Sequence, residues 1–261
     1  MCGRFSSHVG SDILVKRFEV TENRAYIDPS YNVAPASEIR VITRENPTIL
    51  SSMYWNYIPN DLRYYDRSRP IINARSERLL ELKMYVESFQ KRRCLIPVNG
   101  FYEWKKAEKT NEPKTPYYIH MRDEAVFALA GIYSNKSPID KFLKSNEQDN
   151  TIVGTEMPAN RSCAIITSSP NELMKPIHSR MPVIITKDNE KLWLDRSTDL
   201  KELVELFTPI SSEIMQVFPV SIFVNSTRNN GQKCIQKIDE EGLHKQKLGL
   251  DKEQSSLDEF F

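Results

Sequence analysis

The chain has 261 residues, of which 39% are hydrophobic and 27% are charged, a composition typical of a folded globular domain. Its 36 Lys and Arg nearly balance 35 Asp and Glu, which excludes a histone-like polycation. The sequence contains no run of about 18 apolar residues and no apolar leader, so we expect no membrane span and no secretion.

Short apolar runs rich in β-branched and aromatic residues predict most of the secondary structure as strands. Apolar spacing predicts helices over Ser76–Phe89 and Asp199–Phe207, and Ser169 followed by proline predicts a further helix start. Because strands and helices do not alternate, we predict an α+β fold, a single domain with a large mixed or antiparallel sheet and flanking helices. The predicted strands are Ile39–Arg44, Thr48–Tyr57, Arg93–Val98, Phe101–Lys106, Pro116–Met121, Val126–Tyr133, Cys163–Thr167 and Val183–Thr186.

Composition divides the chain into a folded part and two polar stretches. Residues 2–235 are expected to form the domain, with Ser134–Asn160 as a polar surface insertion. Residues 236–261 are charged and poor in apolar side chains, which predicts a mobile tail.

Cys2 directly follows the initiator methionine, which is normally trimmed before a small residue. The mature chain would then begin with an α-amine and a thiol on neighbouring carbons. The amine has a pKa of about 7.7, so much of it is an uncharged nucleophile at neutral pH. It can condense with an aldehyde to an imine, and the thiol can close a five-membered thiazolidine on the same carbon. An internal cysteine or a lysine cannot form this ring.

Seven short motifs are spread along residues 2 to about 235 in a specific order. They are Met1–Phe5 (MCGRF), Tyr31–Pro35 (YNVAP), Trp55–Pro59 (WNYIP), Asn73–Glu77 (NARSE), Gly100–Trp104 (GFYEW), His178–Pro182 (HSRMP) and Pro219–Ser221 (PVS) with Val224-Asn225. In this order the motifs resemble those of the SRAP family, the SOS response-associated peptidases or abasic-site shield proteins. Two positions depart from the pattern, because Asn56 replaces a glycine and Ser179 replaces an aspartate.

The resemblance implies a function and a set of site residues. Members bind single-stranded DNA that carries an abasic site and crosslink to it through the residue that matches Cys2. Glu103, which lies between aromatic residues, is expected to act as general acid and base. His178 would bind the sugar hydroxyl and move protons, and the neutral amide of Asn73 would position the Cys2 amine.

The same resemblance and the local charge indicate the DNA-binding residues. Residues 60–106 contain eleven Lys and Arg against six Asp and Glu, with interleaved aromatic residues, as a groove for single-stranded DNA requires. Arg4, Arg75 and Arg180 are predicted to clamp phosphates, since guanidinium groups match phosphate oxygens. Lys83 and Trp55 are assigned to the same interface, with a core position as the alternative for the tryptophan.

The last eight residues match the sliding-clamp-binding (PIP-box) pattern Gln-x-x-Leu-x-x-Phe-Phe. On one helical turn the three apolar side chains would form a plug for a groove, and the glutamine amide would anchor it. The residues are Gln254, Leu257, Phe260 and Phe261.

Two other interpretations of the sequence stay open. The chain could be a cysteine peptidase with Cys2 as N-terminal nucleophile, including removal of its own Met1, or a non-catalytic adaptor between clamp and DNA. The four cysteines form no Cys-x-x-Cys pair, so we expect no metal and no cofactor. We further predict a monomer with abasic single-stranded DNA and the sliding clamp as partners. Placement in the nucleus, with the cytoplasm as alternative, rests on the resemblance and the clamp motif.

Overall fold

The structure, a computed structural model, describes residues 2–66, 68–106, 113–137 and 160–247. Over these residues the fold is α+β with a large mixed sheet of nine strands, which confirms the prediction, and five further strands form a second sheet. The strands are β1 (Phe5–Ser7), β2 (Glu22–Asn23), β3 (Ser30–Val33), β4 (Glu38–Thr43), β5 (Ile49–Trp55), β6 (Asn73–Arg75), β7 (Arg93–Val98), β8 (Gly100–Lys105), β9 (Thr115–Met121), β10 (Phe127–Ser134), β11 (Ser162–Ser168), β12 (Met181–Pro182), β13 (Ile184–Ile185) and β14 (Met215–Pro219).

The helices of the described ranges are short, and none is long or apolar enough to cross a bilayer. Asp199 caps one of them by accepting a hydrogen bond from the Lys201 amide, as its side chain predicts. The helices are α1 (Ser11–Arg17), α2 (Lys83–Lys91), α3 (Glu190–Leu194), α4 (Leu200–Glu205) and α5 (Glu240–Lys247).

The two sheets differ in strand direction. The first is antiparallel, in the order β14-β9-β8-β1-β3. The second runs β12-β11-β10-β7-β4-β5-β2, and β11 also pairs in parallel with β5, which closes β5, β4, β7, β10 and β11 into a barrel. Every residue of β7, β10 and β11 is buried, because these strands have packing on both faces. Because their apolar runs are continuous, these three strands are the ones that the sequence predicts best.

Two helix predictions differ from the structure. Over Ser76–Phe89 a 3₁₀ turn at Ser76–Arg78 comes first, and α2 begins only at Lys83. After Ser169 the chain forms hydrogen-bonded turns instead of a helix. Pro176 explains the second difference, because it has no amide hydrogen to continue a helix.

Two further regions differ from expectation. The Asn56 side chain accepts a hydrogen bond from the Ile71 amide at 2.9 Å. The residue that replaces a glycine of the motif therefore holds the end of the loop between residues 56 and 71. Beyond residue 235, the Ile238 amide donates to the Pro219 carbonyl oxygen at 3.1 Å, and α5 follows. The predicted tail, which starts at residue 236, therefore begins with residues that still contact the domain. Most of the predicted insertion, residues 138–159, lies outside the described residues, as does the clamp motif at 254–261.

Candidate active site

The N-terminal segment lies against β8. The register of β1 and β8 sets Phe5 opposite Phe101, and the Tyr102 amide donates to the Arg4 carbonyl oxygen at 2.9 Å. Continued by one step, this antiparallel register brings residue 3 opposite Glu103. The short β1 strand therefore delivers the front of the chain to the carboxyl group of the Gly-Phe-Tyr-Glu-Trp motif.

Cys2 is completely buried at this position. Its Sγ atom lies 3.9 Å from the Arg4 carbonyl oxygen, to which the thiol donates a weak hydrogen bond. Burial, together with the negative charge of Glu103, raises the pKa of the Cys2 thiol far above its ordinary value. The sulfur is therefore a neutral thiol at neutral pH, and its reaction requires a base to take the proton.

Glu103 is a buried carboxyl group, with only 3% of its surface exposed. Burial raises the pKa of Glu103 above the ordinary glutamate value. A carboxyl with a raised pKa can hold a proton or release it close to neutral pH. The charge of Glu103 acts on the Cys2 thiol, and Glu103 and His178 also interact by charge, so we group the three residues as one candidate site.

Asn73 completes this cluster from the other sheet. β6 pairs in parallel with β11, with Asn73 opposite Ile165, and this pairing holds the residue beside the N-terminal segment. The Asn73 Nδ2 donates to the Cys2 carbonyl oxygen at 2.9 Å. Its Oδ1 is buried and has no hydrogen-bond partner among the described residues. The amide thus orients residue 2 and keeps one acceptor for another donor.

His178 is presented by the turn that follows β11. The Asn171 side chain starts the turn by accepting a hydrogen bond from the Met174 amide at 3.1 Å. The Arg180 amide donates to the His178 Nδ1 at 3.0 Å. A backbone amide, and not a carboxylate at position 179, therefore holds this ring, so the replacement of aspartate by Ser179 leaves the imidazole oriented. The Arg180 carbonyl oxygen lies 3.2 Å from the same Nδ1, and when Nδ1 accepts from the closer amide the neutral ring has its proton on Nε2.

The side chains predicted to bind phosphate differ in how far internal contacts already occupy them. Arg4 donates through Nη1 to the Asn32 Oδ1 at 2.7 Å and to the Val224 carbonyl oxygen at 2.9 Å, and its guanidinium lies 5.7 Å from the centre of the Trp104 ring. A phosphate bound by Arg4, as the sequence predicts, must therefore contact guanidinium nitrogens other than the Nη1 that makes these two hydrogen bonds.

The other three predicted phosphate contacts belong to different elements: Arg75 ends β6, Lys83 begins α2 and Arg180 precedes β12. The Arg180 guanidinium binds both carboxylate oxygens of Glu77, with Nη2 to Oε2 at 3.0 Å. Arg75 and Lys83 have exposed side chains, at the end of β6 and the start of α2. These two side chains are the predicted contacts most accessible to a phosphate.

Trp55 belongs to the core. Its ring is fully buried, its Nε1 donates to the Ile72 carbonyl oxygen at 2.9 Å, and it packs on Phe5 with ring centres 5.0 Å apart. The ring has no free face on which a base could stack. The assignment of Trp55 to the DNA interface is therefore wrong, and the core alternative holds.

Sequence reasoning missed the role of Asn32, although it lies within the Tyr-Asn-x-Ala-Pro motif. Its Oδ1 accepts from Arg4, and its Nδ2 donates to the carbonyl oxygens of Val224, Ser226 and Asn229 at 3.2, 2.9 and 2.8 Å. This buried amide joins the N-terminal segment to a loop about 190 residues later. The motif marks the residue, but no local pattern identifies such distant partners.

The larger clefts lie away from this cluster. A cleft of about 570 Å³ is lined by residues of α1 and α3, among them Arg17 and Glu190, and by none of Cys2, Asn73 or Glu103. Within the described ranges, no group of three or more His, Cys, Asp or Glu is arranged to hold a metal ion. We therefore identify the candidate site by the titratable groups near Cys2 and not by the volume of a cleft.

Comparisons with known proteins show what the chain as a whole is similar to. The family model "SOS response associated peptidase (SRAP)" matches residues 1–227. The abasic site processing protein YoqW of Bacillus subtilis is 35% identical over 240 residues, which cover 90% of this chain and 99% of that protein. YedK of Escherichia coli, which has the same description, is 26% identical over 91% of this chain and 100% of its own length. A crystal structure of a Bacteroides thetaiotaomicron protein shares the fold, with a TM-score of 0.74 at 24% identity, covering 91% of this chain and 100% of that one.

Proposed function

The chain belongs to the SOS response associated peptidase (SRAP) family, and we propose that it captures abasic sites in single-stranded DNA as a covalent crosslink through Cys2. The relatives described as abasic site processing proteins support the choice of lesion. The observation that carries the proposal is the set of groups near Cys2, which becomes the N-terminus once Met1 is removed: Asn73 donates to its carbonyl oxygen, and Glu103 interacts by charge with it and with His178.

The proposed chemistry uses both groups of the mature Cys2. The uncharged α-amine attacks the aldehyde carbon of the ring-opened deoxyribose, and loss of one water gives an imine. The Cys2 sulfur then adds to the imine carbon, its proton is removed by a base, and the imine nitrogen takes up a proton. The product is a thiazolidine, and the sum of the steps releases one water molecule.

The neighbouring groups supply the proton transfers that this sequence requires. Because the thiol is neutral, its addition needs a base, and the Glu103 carboxylate is the charged group that interacts with it. In its protonated form the same carboxyl donates to the sugar ring oxygen during ring opening. The His178 Nε2–H acts as a donor to the sugar hydroxyl, and the Asn73 amide holds residue 2 in place.

We assign the strand-binding surface to the basic side chains around the cluster. Arg75 and Lys83 are exposed, whereas Arg4 and Arg180 also hold internal acceptors. Phosphates held at these positions would keep the lesion over Cys2 without contact to the bases. Such an interface recognises single-stranded DNA without a preferred sequence.

The C-terminal motif supports a second part of the proposal. Gln254, Leu257, Phe260 and Phe261 have the spacing of a sliding-clamp ligand, which would bring a monomeric protein to replication forks in the nucleus. Since the motif follows the domain by several residues, clamp binding and crosslinking are expected to be separable.

The proposal is tested with an oligonucleotide that contains one abasic site, analysed on a denaturing gel. Wild type should give a stable shifted band, and Cys2→Ser should give none that survives denaturation, because serine forms no thiazolidine. Cys234→Ser, a change at another buried cysteine, is the control and should crosslink like wild type. An equally durable crosslink with Cys2→Ser would refute the assignment.

A further inference from the structure

Glu77 and His178 belong to different motifs, and Arg180 links them. The Arg180 guanidinium binds both oxygens of the Glu77 carboxylate, with 3.0 Å between Nη2 and Oε2. The backbone amide of the same arginine donates to the His178 Nδ1 at 3.0 Å. One residue therefore has its side chain fixed by a carboxylate and its backbone directed at the imidazole of the candidate site.

The sheet explains how these segments meet. β11 pairs with β6 on one side, with Thr167 opposite Arg75, and with β12 on the other, with Thr167 opposite Pro182. Arg180 lies just before β12, and its Nη2 donates to the Thr167 carbonyl oxygen and lies 3.3 Å from the Thr167 Oγ1. The guanidinium thus crosses the end of β11 to reach Glu77, which follows β6.

The ion pair is well placed to persist in solution. The Arg180 side chain is only 13% exposed, whereas the Glu77 side chain is 56% exposed. The hydrogen bonds from Arg180 lower the pKa of Glu77 below the ordinary glutamate value, so the carboxylate stays charged at neutral pH. The arginine is anchored from both sides, and its backbone position is fixed with it.

This anchoring bears on the protonation of His178. The His178 Nδ1 lies 3.0 Å from the Arg180 amide nitrogen and 3.2 Å from the Arg180 carbonyl oxygen, so the position of residue 180 decides which of the two it pairs with. When Nδ1 accepts from the closer amide, Nε2 carries the proton of the neutral ring and is the donor that the proposed reaction uses. If residue 180 moved, Nδ1 would lose its donor and the ring could exchange tautomers. We propose that Glu77 is a positioning residue for crosslinking, which acts through Arg180 to hold His178 in the Nε2–H tautomer. This inference rests on the proposed function for its kinetic consequence, but not for the tautomer.

The ion pair with Glu77 also limits how many donors Arg180 can offer to a DNA phosphate. A guanidinium that binds Glu77 through two nitrogens and Thr167 through one has few donors left for a phosphate. Glu77→Gln would release this guanidinium, so DNA binding should be unchanged or tighter while the covalent step becomes slower. A loss of fold would weaken both, and that contrast separates positioning from a general structural role.

The test compares wild type with Glu77→Gln and with Glu81→Gln as matched control. Glu81 lies four residues later, and its partner among the described residues is an exposed arginine, Arg78, at 2.7 Å. Nitrogen-15 NMR reports the His178 tautomer, because protonated and unprotonated ring nitrogens have separate chemical shifts, and His178→Gln assigns the signals. Affinity is measured with a tetrahydrofuran abasic analogue, which has no aldehyde, and the crosslinking rate with the true abasic oligonucleotide.

For Glu77→Gln we expect a mixture of His178 tautomers and a crosslinking rate of about one tenth of the wild-type rate or lower. The dissociation constant should stay within twofold of the wild-type value or fall below it. Glu81→Gln should match wild type in all three. Arg180→Lys, which keeps the charge but loses the paired contact, should give the same mixture of His178 tautomers if Glu77→Gln folds poorly. Wild-type signals and rate in Glu77→Gln, or equal losses of rate and affinity, would overturn the proposal. If wild type itself forms no crosslink, the proposed function fails, and the tautomer comparison still decides the role of Glu77.

Discussion

The Asn73 side chain donates a 2.9 Å hydrogen bond to the carbonyl oxygen of Cys2, 71 residues away in the chain. This bond joins the N-terminal segment on the antiparallel sheet to β6 on the barrel sheet. It fixes the carbonyl of residue 2, and thereby the direction of the amine and the thiol that branch from the same Cα. The site therefore depends on one amide that spans the two sheets.

Replacement of Asn73 by aspartate should remove this positioning with almost no change of shape. The carboxylate has no hydrogen to donate, and its charge would repel the Cys2 carbonyl oxygen. We expect the crosslinking rate to fall about 100-fold, the size of effect that misplacement of a reacting group produces. Single-turnover kinetics with an abasic oligonucleotide measure it. Asn46→Asp, at an exposed turn, is the control, and an Asn73→Asp rate within threefold of wild type would contradict this role.

The raised pKa of Glu103 predicts a pH-dependent cost to stability. The fold favours the protonated carboxyl, so wild type loses stability as the pH rises from about 4.3, the unfolded value, through the raised pKa in the fold. Glu103→Gln has no proton to lose. The variant should therefore match wild type in acid and exceed its Tm above neutral pH by about 2–4 °C for each kcal/mol involved.

Thermal unfolding at several pH values measures this difference, and Glu205→Gln, an exposed position on α4, should show none. The same Glu103→Gln protein should crosslink about 10²- to 10⁴-fold more slowly, as expected for loss of a general acid and base. A variant that is less stable than wild type at high pH would show that the buried charge is fully compensated.

The exposed side chain of Arg75 predicts a contribution to DNA affinity through a phosphate. Arg75→Ala should weaken binding several-fold on every sequence and reduce the slope of log affinity against log salt by about 0.7, the value for one phosphate of a single strand. Fluorescence anisotropy with the tetrahydrofuran oligonucleotide at several salt concentrations measures both. Lys191→Ala, a 90% exposed position on α3, should change neither. An unchanged slope for Arg75→Ala would exclude a phosphate contact there.

The core position of Trp55 predicts a change in stability without a change in binding. Trp55→Phe loses the hydrogen bond to the Ile72 carbonyl oxygen and leaves that acceptor unpaired, at a cost of about 1–3 kcal/mol. Urea unfolding should show this loss, while affinity for the tetrahydrofuran oligonucleotide stays within twofold. Weaker DNA binding with unchanged stability would return Trp55 to the interface.

The clamp motif predicts that two activities can be separated. Deletion of residues 257–261 should abolish capture by an immobilised sliding clamp and leave the crosslinking rate unchanged. Alanine at Asp258 and Glu259, which occupy the variable positions of the motif, is the matched control and should retain capture. Loss of both activities on deletion would show that the tail is part of the site.

The sequence predicts most of the barrel and provides the proposed nucleophile, each for a physical reason. Cys2 follows from connectivity alone, because only an N-terminal cysteine carries both nucleophiles. The strands β7, β10 and β11 follow from their long apolar runs. The two-residue β2 and the three-residue β1 and β6 are too short for any periodicity, yet β1 and β6 position Cys2 and Asn73.

Side-chain partners are harder to predict than strands. Arginines in basic motifs indicate phosphate binding, but Arg180 binds Glu77, 103 residues away, and Arg4 binds Asn32. An aromatic residue in a basic region has the same composition signal whether it is exposed or, like Trp55, fully buried. Tertiary packing decides both the partner of each arginine and the exposure of each aromatic ring.

The most direct test of the account is the intact mass of the purified protein before and after it is mixed with an abasic single-stranded oligonucleotide. The account predicts a chain that lacks Met1, which then gains the mass of the oligonucleotide less one water, with the adduct on the peptide that begins at Cys2. A chain that keeps Met1 and forms the adduct regardless would contradict it.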